Sequence, residues 1–178
     1  MYIDINCDLG ETDPATGPGN DEAVMPFISS ASIACGFHAG DPLTIERTIR
    51  SAMRHVVNIG AHPGYPGRQN FGRKAMKMSH DELRAMILYQ AGAVMAMAAA
   101  AGARMRHVKP HGALYNTAAT DYELSVVIAR AVRELDPSLI LVGQSGSQMI
   151  RAARDTGLAC ASEVFADRAY DDNGALVA

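Results

Sequence analysis

The chain has 178 residues, of which 48% are hydrophobic and 20% charged, with a net charge of −3. That apolar share excludes wholesale disorder, and the length suits a single α/β domain, residues 1–178, with room for a sizeable core. The slight acidity and the absence of a Lys/Arg run argue against a nucleic-acid partner.

Cys7, Cys35 and Cys160 are odd in number, widely spaced and without a CxxC, so neither a disulfide framework nor a cysteine zinc site is expected. Residues 1–20 are rich in Asp, Glu, Gly and Pro and lack the apolar core of a secretory leader. A reduced, cytoplasmic protein is the expectation.

Strand-like runs occur at Tyr2–Asp8, Ser32–Phe37, Val56–His62, Arg106–His111, Leu139–Val142 and Ala159–Ala166. Helical patterns fall between them at Asp21–Ile28, Pro42–His55, His80–Gly102, Asp121–Leu135 and Ser147–Asp155. Asp41-Pro42 offers a cap followed by a first-turn proline. Ser79 with Glu82, and Thr120 with Glu123, have capping-box spacing, and Gly157 is a stop signal. The nearly unbroken apolar stretch from Ala85 to Ala103 has membrane-span length, but it is mostly Ala and Gly. It reads as a soluble helix packed closely through small side chains, and no membrane partner is expected.

Strand–helix alternation with short connections implies right-handed crossovers and a parallel sheet. In the first strand Ile3, Ile5 and Cys7 face one way and Asp4, Asn6 and Asp8 the other. A central strand of an open doubly wound sheet is apolar on both faces, whereas a barrel strand can carry a polar functional interior. An edge strand with one wet face is the alternative. A full eight-fold α/β barrel needs about 250 residues. Six strands ending in the loop-like Asp171-Asp172-Asn173-Gly174 therefore predict a TIM-like (β/α) barrel that is incomplete at its C-terminus.

Polar residues collect where these strands end: Asp8 and Glu11, Cys35 to Asp41, His62 with Gly64, Lys109 with His111, and Glu163 with Asp167 and Arg168. Repeated beside glycines, they suggest a site on the C-terminal face of a barrel. His55 and His80 lie on helices and are assigned no role. His107 and His111 are four residues apart on a strand, a span of about 13 Å, so they cannot share one ion. His111 is placed at the strand mouth and His107 one layer deeper, as a hydrogen-bonded core residue. Asp8, His38 and His62, with His111 nearby, form a reasonable set for a divalent metal or for metal-free acid–base work.

Lys109, on the same inward face, needs an acidic partner, Asp4 or Asp8, unless it holds an anion or a developing oxyanion. Gly64, Gly67, Arg68 and Arg73 resemble an anion-binding loop, and no P-loop motif is present. Ser145, in Gly143-Gln144-Ser145-Gly146, reads as a strand-to-helix turn that can touch a ligand, and the methionines as core filler.

Four blocks of this chain resemble the LamB/YcsF family: Asp4-Ile5-Asn6-Cys7-Asp8-Leu9-Gly10-Glu11, Ala34-Cys35-Gly36-Phe37-His38-Ala39-Gly40-Asp41, Gly60-Ala61-His62-Pro63-Gly64-Tyr65-Pro66 and Val108-Lys109-Pro110-His111-Gly112-Ala113-Leu114-Tyr115-Asn116. A fifth, Glu163-Val164-Phe165-Ala166-Asp167-Arg168-Ala169-Tyr170, completes the likeness.

The resemblance implies the A subunit of a bacterial 5-oxoprolinase. Its expected reaction is ATP-dependent opening of 5-oxo-L-proline to L-glutamate, with separate B and C subunits. It also implies a barrel of the glycoside hydrolase/deacetylase group, whose deacetylases hold a divalent metal through Asp and His. On that footing Asp8, His38, Lys109 and His111 are the expected catalytic residues. Asp8 or His38 would take a water proton, while Lys109 and His111 would stabilise negative charge. Asn6, His62, Arg68, Asp41, Asn116 and Arg168 are expected to bind substrate, with Arg68 on its carboxylate. Asp8, His38 and His62 are the expected metal ligands. The expected cofactors are ATP and a divalent metal; a homo-oligomer is left open. Two alternatives are a stand-alone metal-dependent amide hydrolase or deacetylase, and a non-catalytic subunit that binds a small carboxylate.

Overall fold

A computed structural model describes residues 3–12 and 19–171. The predicted strand start at Tyr2 and the terminal Asp172-Asn173-Gly174 lie outside them. Six strands, β1 (Asn6–Leu9), β2 (Ser30–Ala34), β3 (Asn58–His62), β4 (Met105–Val108), β5 (Ile140–Gln144) and β6 (Ala159–Glu163), pair in sequence order. Every pairing is parallel. Between them run α1 (Asp21–Val24), α2 (Pro42–Arg54), α3 (His80–Ala100), α4 (Gly112–Thr120), α5 (Tyr122–Leu135) and α6 (Gln148–Asp155).

The sheet curls, bringing its two edge strands face to face. The Asn6 amide of β1 donates to Glu163 Oε1 of β6 at 2.8 Å although the two strands are not paired. The described part is thus a curled parallel half-barrel, as expected of an incomplete barrel, and not an open doubly wound sheet.

Local chemistry sets the helix starts. Asp41 caps α2 by accepting from the N–H groups of Leu43 and Thr44, with Pro42 at the first helical position. Ser79 and Glu82 form the full capping box of α3. The Thr120–Glu123 box does not form. Thr120 is the last residue of α4, and Asp121 caps α5 through Leu124 N–H. The sequence pattern also missed α4 itself and a short 3-10 turn at Arg68–Asn70. Gly157 takes φ +72° just past α6, the left-handed geometry of a stop signal.

Helix α3 is long and apolar enough to cross a membrane by length and composition alone. Here its inner face, with Leu83, Ile87, Ala91, Val94 and Ala98, is buried against β3, β4 and α5. Gln90 is fully buried and bonded to both the N–H and the carbonyl of Gly64.

The lumen is polar. Ser32, Gly60 and His107 lie side by side on β2, β3 and β4. Gly60 has no side chain, so the His107 ring lies over it and Nε2 meets the Ser32 hydroxyl at 3.1 Å. His107 is therefore the hydrogen-bonded deep-layer residue anticipated.

Burial, chiefly, pushes the His107 imidazole down to about 4. A histidine depressed in the folded state binds its proton mainly after unfolding, so stability is intact above pH 6.5 and falls as the pH drops toward 4. The loss attributable to this residue should be about 3 kcal/mol. Urea unfolding at pH 7 and pH 4.5 is expected to show a smaller acid-side loss in His107→Gln than in the native chain. Equal losses would remove His107 from the account.

Candidate functional site

The strand ends place two linked clusters at the barrel mouth. The first centres on Lys109, just past β4 and 3% exposed. Its ammonium contacts Asp8 Oδ1 at 2.7 Å, Glu163 Oε1 at 2.9 Å and Asn6 Oδ1 at 2.8 Å. Tyr115, from α4, donates to the other Glu163 oxygen at 2.8 Å. Of the two partners proposed for Lys109, Asp8 is the one that pairs. Asp4 instead accepts from the Ser29 and Ser30 hydroxyls. Burial alone would raise the Asp8 carboxyl, but His62 and Lys109 outweigh it and hold that carboxyl well below the usual range. For Lys109, burial opposes the charge, and Asp8 and Glu163 overcome it and raise the ammonium above its ordinary value. Tyr115 is raised by burial and by Glu163, so it stays a hydrogen-bond donor.

The second cluster joins Glu11, His38, His62 and His111. Their donor atoms all lie within 4.8 Å of one another. His38 Nε2 is 2.9 Å from Glu11 Oε1, and the rings of His38 and His111 stack with centroids 3.7 Å apart. His62 Nδ1 donates to the Lys109 carbonyl at 2.6 Å, and His111 Nε2 to the Phe71 carbonyl at 2.8 Å. The remaining nitrogens, His62 Nε2 and His111 Nδ1, face each other at 3.0 Å. Burial lowers the His38 imidazole to about 4, so it is neutral near pH 7. Glu11 is lowered to about 2: burial would raise it, but the adjoining His111 and His38 side chains prevail.

This set fits a divalent cation. Three imidazoles and a carboxylate are an N/O donor set for zinc or a neighbouring transition metal. The other His38 nitrogen, Nδ1, is buried and has no hydrogen-bond partner among the described residues.

The expected site residues divide. Asp8, His62, Lys109, His111, Asn116 and Arg168 line one cavity of about 370 Å³, together with Arg73, Tyr115 and Phe165. Asn6 lies beneath, between Lys109 and Glu163. His38 sits behind His111, on Glu11. Arg68 and Asp41 are not brought to the cavity. Arg68 donates to the carbonyls of Gly36 and Gly40, tying the β2 loop to the 3-10 turn. Both oxygens of the Asp41 carboxylate serve the first turn of α2. In the donor set itself Asp8 is replaced by Glu11 and His111. His111 is also not a strand residue: β4 ends at Val108, and His111 precedes α4 as its N-cap.

The sequence placed Glu11 and Glu163 at polar strand ends and Arg73 in an anion-binding loop but gave none of them an individual role, and it gave Tyr115 none either. Glu11 could have been found three residues beyond Asp8 in the same polar strand end. Ser145 lies on a separate cavity beside α6, with Ser147, Arg151 and Arg154.

A parallel α/β half-barrel with histidines and ion-paired carboxylates gathered at the C-terminal mouth of its strands defines the class, a barrel-type protein with an enzyme-like site. Residues 3–178 match the model of the LamB/YcsF family, and the chain belongs to that family. It is 52% identical over 174 residues to the A subunit of 5-oxoprolinase from Tolumonas auensis, covering 98% of this chain and 69% of the relative. The corresponding protein of Geobacillus thermodenitrificans is 53% identical, with 98% and 68% covered. The crystal structure of the lactam utilization protein from Thermus thermophilus superposes with a TM-score of 0.94 at 44% identity, covering 100% of this chain and 72% of that one.

Proposed function

We propose that this chain is the lactam-opening subunit of a multi-subunit 5-oxoprolinase, working with separate B and C subunits to convert 5-oxo-L-proline to L-glutamate at the expense of ATP. The names of its relatives support the assignment, and we read the barrel as the glycoside hydrolase/deacetylase type. A cytoplasmic setting suits the three free thiols.

A five-membered lactam resists hydrolysis because its amide is resonance-stabilised and the leaving group is an amine. Transfer of the ATP γ-phosphoryl group to the lactam oxygen makes the ring carbon electrophilic. Water then adds, the C–N bond breaks as nitrogen takes a proton, and a second water releases phosphate from the acyl phosphate. In this scheme the water's proton goes to the facing lone pairs of His62 Nε2 and His111 Nδ1, which line the cavity. Asp8, held strongly ionised, is a poor proton acceptor and acts as the countercharge to the imidazolium 3.2 Å away. Lys109 keeps Asp8 and Glu163 in place and carries positive charge to the cavity floor. Arg73 and Arg168 line the cavity and supply planar guanidinium groups suited to the substrate carboxylate. A cation held by the histidine cluster would occupy those same lone pairs, and in that state it would supply Lewis-acid activation of the water in place of their base role.

The observation that carries this reading is the convergence of paired histidines, an ion-paired Asp8–Lys109–Glu163 core and two arginines on one cavity. The test is incubation of the chain, alone and with candidate B and C subunits, with 5-oxoproline and ATP, measuring glutamate and ADP together. Coupled product formation is expected only with the partners, and Asp8→Ala and His62→Gln should each lower it at least about 100-fold. Near-normal turnover in both folded variants would overturn the roles. A second reading, a stand-alone metal-dependent amide hydrolase, is favoured by the four clustered donors. It requires activity that is independent of ATP and abolished by a chelator.

A further inference from the structure

We infer that Glu11, His38, His62 and His111 form a transition-metal centre whose histidine tautomers are fixed in advance by two backbone carbonyls, with Asp8 outside the ligand set. The inference goes beyond the lactam reading and stands without it.

The first argument is a proton count. The carbonyls of Lys109 and Phe71 can only accept, so His62 Nδ1 and His111 Nε2 must carry hydrogens. In the neutral rings, His62 Nε2 and His111 Nδ1 are then both lone pairs, yet they face each other at 3.0 Å. The Glu11 carboxylate closes on the same point, 3.2 Å from His111 Nδ1 and 3.7 Å from His62 Nε2. Three electron-rich atoms aimed together repel unless a shared proton or a metal ion lies between them, and a fourth donor, His38 on the same Glu11 oxygen, suits the ion. An N–H bonded to a backbone carbonyl, with the other nitrogen free, is how a metal-binding histidine is oriented.

The second argument is spacing. Ligand atoms 2.1 Å from a tetrahedral zinc stand about 3.4 Å apart. Four of the six separations, 2.9, 3.0, 3.2 and 3.7 Å, bracket that value, and all six lie within 4.8 Å. Three imidazoles select zinc, or iron, cobalt, nickel or copper, over calcium, magnesium or manganese, which favour oxygen-rich shells.

The third is the way the loop is built over the cluster. Phe71 holds φ at +53°, a left-handed conformation costly for a non-glycine residue, and its carbonyl meets His111. A Cβ at Gly72 would stand 2.8 Å from His38 Cβ and 3.1 Å from His111 Cδ2. Backbone without a side chain is therefore what fits against these rings. Asp8 makes one contact with His62 Nε2 at 3.2 Å, and its other oxygen is on Lys109.

The test titrates Zn²⁺ or Co²⁺ alone into chelator-stripped protein by calorimetry, with folding of every variant checked by circular dichroism. One cation per chain is expected. His111→Ala and Glu11→Gln should weaken binding about 100-fold, whereas Asp8→Asn should leave it within about threefold. In the metal-free protein, ¹⁵N chemical shifts should report hydrogen on His62 Nδ1 and His111 Nε2. Absence of saturable binding, an Asp8→Asn loss equal to that of Glu11→Gln, or the opposite tautomers would each overturn the inference. None of these readouts depends on turnover, so failure of the centre and failure of the lactam assignment are separable.

Discussion

Lys109→Met is expected to destabilise the fold by about 3–5 kcal/mol, the cost of removing one partner from a buried ion pair. It is also expected to abolish glutamate formation by the reconstituted complex. The methionine side chain can occupy the space but leaves Asp8 and Glu163 without their common cation, and Asn6 Oδ1 without its donor. Glu163 is 7% exposed, so water cannot replace the ammonium there.

The pH dependence separates this from a loss of packing. In the native chain the Asp8 pKa is depressed, so its contribution is present above the ordinary carboxylate pKa and is lost as the pH falls through and below it. In Lys109→Met burial acts on Asp8 with one fewer opposing charge, and its carboxyl moves upward. Unfolding by urea at pH 7 and pH 5 should therefore show the deficit of the variant shrinking on acidification. The triple variant Lys109→Met, Asp8→Asn, Glu163→Gln should regain much of the stability and none of the activity. A deficit below about 1 kcal/mol at pH 7 would mean that the carboxylates are solvated and the ion-paired core is not what holds the barrel mouth.

The order of elements was legible because each strand-to-helix transition carries its own chemistry. Asp41-Pro42 and Ser79 with Glu82 mark helix starts by hydrogen bonds that the folded chain makes. The polar alternation of Asn6 and Asp8 pointed to a functional interior, and both residues do face Lys109. Element ends were less visible. Pro110 has no N–H to continue a ladder, so β4 stops at Val108 and the chain turns at His111 into α4, a nine-residue helix. Gly112 and the polar Asn116-Thr117 disguised that helix as a loop.

Side-chain destinations needed the third dimension. Arg68 looks like a carboxylate clamp in sequence, yet the 3-10 turn aims it at the carbonyls of Gly36 and Gly40. Glu11 and Glu163 are 152 residues apart and become neighbours of one site only when the sheet curls. Hydrophobic periodicity carries no information on that curl, because it records which face is buried and not what lies across the lumen.

The same lumen makes Gly60→Ala a severe substitution for so small a change. Gly60 sits between Ser32 and His107 in register, and a Cβ there would lie 2.1 Å from His107 Nε2 and 2.3 Å from two ring carbons. The imidazole is 5% exposed and bonded to Ser32, so it has no free volume to enter. Overpacking of this kind costs about 3 kcal/mol, and here it also breaks the Ser32 bond. The cause can be isolated with a double-mutant cycle. His107→Ala alone should destabilise by leaving a void and an unpaired Ser32 hydroxyl. Combined with Gly60→Ala, the new methyl enters that void, and the double variant should be more stable than the sum of the single losses by about 2 kcal/mol. Additive losses, measured by urea unfolding at pH 7, would show that strain at Gly60 arises from backbone conformation and not from the imidazole above it.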